Sequence, residues 1–163
     1  MNKKRSIFQY IYLGLFIFIT ALIFILASAP GDISSGQSSS LLNITIKILT
    51  FLRINLTNTQ LSDLHVFIRK ALGHFGIFLL DGIFGYLSVY YFTKLSPKTK
   101  FISALGLGFF IAGLSEILQM LAPERGPSFS DVLIDFAGFF VGVVFILLLL
   151  NKLNKKPLNK RGK

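Results

Sequence analysis

Four long apolar runs divide the chain: Ile7 to Ala29, Ala71 to Phe92, Phe101 to Leu121 and Val132 to Leu150. Each holds about 20 residues, enough to cross a roughly 30 Å hydrocarbon layer as a helix rising 1.5 Å per residue. Lipid offers the backbone no hydrogen-bond partner, so these runs predict helices. The pattern describes an all-α polytopic bundle of four transmembrane helices, with residues 1–163 as one domain.

Between the first two runs lies an outer segment, residues 30–61. Its opening, "GDISSGQSSS", is rich in Gly and Ser and predicts a flexible stretch. The following "LLNITIKILTFLRINLT" alternates like a strand, yet Leu41, Leu42, Ile48, Leu49 and Leu52 also line one helical face. A lone strand would have no partner, so a short amphipathic helix on the outer leaflet is expected. "NIT" and "NLT" match the glycosylation pattern, which short sequences also match by chance. Ser62 is the expected N-cap of the next helix. The stripe Leu61, Leu64 and Ile68 can continue into the second span.

The first run has a rival reading. "MNKKR", an apolar stretch and "ASAP" resemble a secretory signal. The run is longer than such a signal's core of roughly 7–15 residues, and Pro30 would follow the cut, so a retained helix is expected. Having few small residues and no charge, this helix is expected at the bundle periphery.

Charge changes the picture by its placement. The net charge of +10 suggests nucleic acid until the basic residues are located at the ends of the apolar runs, which fits headgroups instead. Twelve lie before the first span (Lys3, Lys4, Arg5), between the second and third (Lys94, Lys98, Lys100), or in the tail at 151–163. Five lie on the other side: Lys47, Arg53, Arg69, Lys70 and Arg125. The positive-inside rule then predicts both termini in the cytoplasm. With no cysteine, disulfides and thiolate chemistry are excluded.

Four of the seven acidic residues fall within "SEILQMLAPERGPSFSDVLIDFAG", Ser115 to Gly138. At 3.6 residues per turn, Lys70, His74, Asp81, Gly85 and Ser88 share one side of the second span. Gly108, Ala112, Ser115 and Gln119 form a small-residue stripe on the third, with Glu116 beside it. Asp131, Asp135, Gly138 and Gly142 align on the fourth. Such stripes predict close helix interfaces, and their polar members should face inward. His74, Glu116 and Asp135 all fall about 5–8 Å below the outer ends of their spans. Asp81 lies deeper, where an ionisable group is a functional candidate by default.

The ordered set Lys70-x-x-x-His74, Glu116-x-x-Gln119 and Arg125-x-x-Ser128-x-x-Asp131-x-x-x-Asp135-x-x-Gly138-x-x-x-Gly142 resembles the VanZ-like family of small membrane proteins. The resemblance implies a multi-pass protein of the bacterial cell membrane, and a link to low-level teicoplanin resistance. No cofactor is expected. Two departures stand out: Asp135 replaces a common Asn, and Asp81 stands where the family is usually uncharged.

Several chemistries suit these residues. Lys70, His74 and Arg125, with Gln119 and Ser128 as donors, could hold a phosphate or carboxylate while Glu116, Asp131 and Asp135 orient the bases. The expected partners are membrane lipids, lipid-linked envelope precursors or a lipoglycopeptide, not nucleic acid. An enzyme could use His74 with Glu116 or Asp135 as an acid–base pair. His plus carboxylates could also bind a divalent metal, although none is required. A transporter could extend inward through Asp81, but no internal repeat supports it. The bland alternative is a set of structural ion pairs, such as Arg125 with Asp131 or Glu116. No residue stands out as an activated nucleophile. Gly106 and Gly108 lie mid-span and do not form a phosphate loop.

Overall fold

The computed structural model describes residues 7–126 and 128–154. The basic clusters at Lys3, Lys4 and Arg5 and at Lys155, Lys156, Lys160, Arg161 and Lys163 lie outside the described residues. The described chain is helical: α1 (Ile7–Ala27), α2 (Gly31–Phe51), α3 (Asn58–Ile68), α4 (Ile77–Phe92), α5 (Pro97–Leu121) and α6 (Phe129–Asn154). A π-helical stretch, Arg69–Gly76, joins α3 to α4, so Asn58–Phe92 is one unbroken 35-residue rod. Among the described residues, four helices are long and apolar enough to cross a membrane: α1, this rod, α5 and α6.

α6 packs against α4 along a glycine seam. A Cβ on Gly138 would run into the Phe75 carbonyl, one on Gly142 into that of Leu79, and one on Gly82 into that of Phe139. The two backbones touch, and only glycine permits this approach. The Phe139 ring, fully buried, fills the space beside Gly85 and Gly108 and thereby joins α4, α5 and α6. The pairs Lys70–Asp131, His74–Asp135, Phe75–Gly138 and Leu79–Gly142 keep a near-constant offset, so the rod and α6 run parallel.

The first helix is the least buried of the four spans, as expected, yet it packs directly against α4. Ile19, Ile23 and Ala27 form a buried stripe at helical spacing. Tyr12 stacks on Tyr91 at 5.8 Å, Tyr10 meets Phe92 edge-on at 5.5 Å, and the Thr20 hydroxyl donates to Asp81 at 2.9 Å. Residue numbers rise on one helix as they fall on the other, so α1 runs antiparallel to α4. Aromatic rings and one hydroxyl make this interface, which a search for small or charged residues overlooks.

The segment between the first two spans also differs from expectation. The Gly/Ser tract is the first half of α2, a continuous 21-residue helix. Its hydroxyls turn back onto its own carbonyls: Ser35 on Asp32, Ser39 on Ser35, Ser40 on Gly36 and Thr45 on Leu41. Such bonds satisfy polar side chains without leaving the helix. The Gly31 N–H, donating to the Pro123 carbonyl at 3.0 Å, moors the start of α2 to the α5–α6 loop. Arg53, in the left-handed conformation at φ 60°, ends the segment.

Ser62 is not the cap of α3. Thr57 takes that place in a reciprocal capping box, accepting from the Gln60 N–H at 3.3 Å while Gln60 Oε1 accepts from the Thr57 N–H at 2.9 Å. The helix therefore begins inside the expected loop. Ser96 caps α5 with Pro97 in its first turn, again ahead of the apolar run.

Candidate functional site

The polar residues at one end of the spans meet where the π-helical stretch faces the start of α6. A π turn is wide and rare, and such turns concentrate at functional sites. Here it carries Arg69, Lys70 and His74. Lys70 pairs with Asp131 at 3.0 Å, and His74 Nδ1 meets Asp135 Oδ1 at 2.9 Å. The two contacts form successive rungs, each partner four residues further along its own helix. His74 is 7% exposed and Asp135 is fully buried, so water contributes little to this pair. With Nδ1 engaged by Asp135, the tautomer carrying hydrogen on Nδ1 leaves Nε2 as an acceptor. Nε2 lies 3.9 Å from Asp131 Oδ2.

α5 closes the site from the other side. Ser115 donates to the Ala112 carbonyl at 2.8 Å and approaches Asp135 Oδ2 at 3.5 Å. One oxygen of Glu116 accepts the Ser128 N–H, while the other is buried without a hydrogen-bond partner. The Glu116 carboxyl lies within electrostatic reach of Asp131, His74 and Asp135. The Ser128 hydroxyl bonds Ser130, so Ser128 ties the loop together by both its groups.

Arg125 makes no ion pair with Asp131 or Glu116. One guanidinium nitrogen donates to the carbonyls of Leu26, Ala27 and Ala29 at 3.0, 3.3 and 3.4 Å. The other donates to Gln119 Oε1 at 2.7 Å. Arg125 thus caps α1, whose last carbonyls have no partner within the helix. Burial, and next the neighbouring Arg69, lower its pKa from the ordinary arginine value.

Two cavities adjoin here. One, of about 160 Å³, is mainly apolar, walled by Ile23, Leu26 and Phe78, with His74 and Asp135 among its polar lining. The other, of about 510 Å³, is polar and includes Lys70, Ser128 and Asp131. Arg69, Gln119 and Arg125 line both. Of the eight expected site residues, seven line one cavity or the other, and Glu116 supports from behind. Arg69 was not among them, because a basic residue at a span's edge is usually explained by headgroup contact. Among the described residues, no group of three His, Asp or Glu is arranged to hold a metal ion.

Asp81 stands apart. It is fully buried and bonds Thr20, its second oxygen has no hydrogen-bond partner, and it lines neither cavity.

Fold and site together define a polytopic helical membrane protein with a charged pocket at one end of its spans. The chain belongs to the VanZ/LLP1 family, whose profile matches residues 11–150. No curated protein and no solved structure matches it.

Proposed function

We propose that the protein binds an anionic envelope lipid, a lipid-linked precursor or a lipoglycopeptide in this pocket, and thereby lowers susceptibility to teicoplanin-like antibiotics. One observation carries the binding reading: a polar cavity and an apolar one share a wall of Arg69, Gln119 and Arg125. That pairing suits an amphiphile, with an anionic head against guanidinium groups and a chain against Ile23 and Phe78. The resistance role is supported by the VanZ resemblance. The proposed location is the bacterial cell membrane, with both termini cytoplasmic and the pocket outward.

A second reading, catalysis on the bound lipid, is favoured by the 2.9 Å contact between His74 and Asp135. A carboxylate that orients an imidazole is the usual arrangement behind a general base.

Drug susceptibility of a host expressing each variant, with membrane abundance measured alongside, tests the proposal. Lys70→Gln, Glu116→Gln and Arg125→Lys should each weaken protection. Arg125→Lys should do so even though charge is kept, because one ammonium replaces a planar fork that reaches four acceptors. If all three variants reach parental abundance and protect fully, the pocket is not the working site. Orientation is tested separately by cysteine labelling of intact cells. Ser39→Cys should react from outside and Ser96→Cys should not; the reverse pattern would place the pocket on the cytoplasmic side.

A further inference from the structure

The cations of the pocket are not equivalent. Lys70 is paired with Asp131 at 3.0 Å. Arg125 is committed to four acceptors on α1 and α5. The Arg69 guanidinium has no hydrogen bond or ion pair with any described residue. It is exposed, lines both cavities, and is close enough to Arg125 to repel it. Asp131 attracts Arg69, but Lys70 already holds that carboxylate.

Two guanidinium groups that line the same cavities and repel one another would be stabilised by an anion beside them. A terminal phosphate suits them best, since it offers several acceptor oxygens and a double charge. The apolar cavity sets a second limit. Its volume of about 160 Å³ is close to the roughly 150 Å³ that holds one benzene-sized molecule. That volume matches one chain end. Leu41 of α2 closes part of its wall.

We propose that the pocket selects a single-chain amphiphile with a terminal phosphate. Arg69 is its principal anion ligand, and the chain end enters the cavity between Ile23, Leu41 and Phe78. This rests on the lipid-binding reading and narrows it. The polar cavity, about three times larger, takes the phosphate head.

The test measures binding to purified full-length protein in phosphate-free neutral detergent. The probes are lysophosphatidic acid, two-chain phosphatidic acid, monoacylglycerol and inorganic phosphate. Lysophosphatidic acid should bind tightest. Arg69→Gln should weaken it roughly tenfold or more, the usual cost of losing charge-assisted bonds. Arg69→Lys should recover part of that loss, and Lys70→Gln should cost less than Arg69→Gln. Leu41→Trp, narrowing the apolar cavity, should weaken lysophosphatidic acid and leave inorganic phosphate unchanged. Since Arg69 holds nothing in place, its variants should melt at the parental temperature.

Parental affinity in Arg69→Gln would overturn its role as ligand. Equal binding of the two-chain lipid would overturn single-chain selection while leaving lipid binding intact. Inorganic phosphate binding as tightly as lysophosphatidic acid would overturn the amphiphile and point to free phosphate. If none of the anionic lipids binds, this inference and the broader lipid-binding reading fall together.

Discussion

Asp135 and Asp81 are both fully buried carboxylates on membrane helices, and each has one strong contact to a neighbouring helix. Asp135 faces an imidazole and lines a cavity that Arg69 and Arg125 also line. Asp81 faces a hydroxyl between α1 and α4, and neither cavity reaches it. Burial of a charged residue is therefore a poor guide to function by itself. Open space beside the group and a titratable partner distinguish the candidate site from a polar helix contact.

The comparison presupposes an intact α4–α6 seam, and the largest effect should come from breaking it. Gly138→Leu should abolish membrane accumulation, at a cost of about 3 kcal/mol or more from overpacking, because even a Cβ there meets the Phe75 carbonyl. Quantitative immunoblotting of membranes checks this; normal accumulation would mean the helices do not touch there.

The next effect separates the two carboxylates. Asp135→Ala strands a buried imidazole, at about 1–3 kcal/mol, and should remove protection against the antibiotic. Asp135→Asn retains a hydrogen-bonding group beside His74, so abundance should stay parental. Asp81→Asn should leave both abundance and protection near parental values. If Asp81→Asn abolished protection at normal abundance, the contrast would fail and a deeper pathway would return to consideration.

The smallest effect concerns Thr20. Thr20→Val should destabilise the bundle by about 0.6 kcal/mol, the typical worth of a hydrogen bond between membrane helices. A double-mutant cycle with Asp81→Asn checks it. Coupling above about 1.7 kcal/mol would make this contact exceptional.

Much of this was legible in the chain. The apolar runs located all four spans, and helical periodicity brought Lys70, His74, Asp131 and Asp135 onto facing sides. Gly138 and Gly142 marked the close seam. Three things escaped for physical reasons. The Ser-rich start of α2 reads as flexible because its helical hydrogen bonds use side chains that ordinarily favour turns. The packing of α1 rests on rings and a single Thr, which leave no small-residue stripe. Arg69 looked like a headgroup contact because only the π turn and α5–α6 loop reveal what it borders. The α3 boundary was readable, since Thr57-x-x-Gln60 has the capping-box spacing.

The Arg125 clasp has a consequence for biosynthesis. The carbonyls it satisfies at Leu26, Ala27 and Ala29 precede it by 96 to 99 residues. The ribosome therefore delivers α1 to the bilayer long before its cap exists, and the helix end must wait, hydrated, while α2 through α5 are made. Docking of α1 is expected to be a late step of insertion. Arrested chains ending before Arg125 should leave Ala27→Cys open to aqueous labelling, and chains extending past α6 should shield it, because Ala27 is buried in the finished fold. Equal labelling at both lengths would show that α1 settles without its clasp.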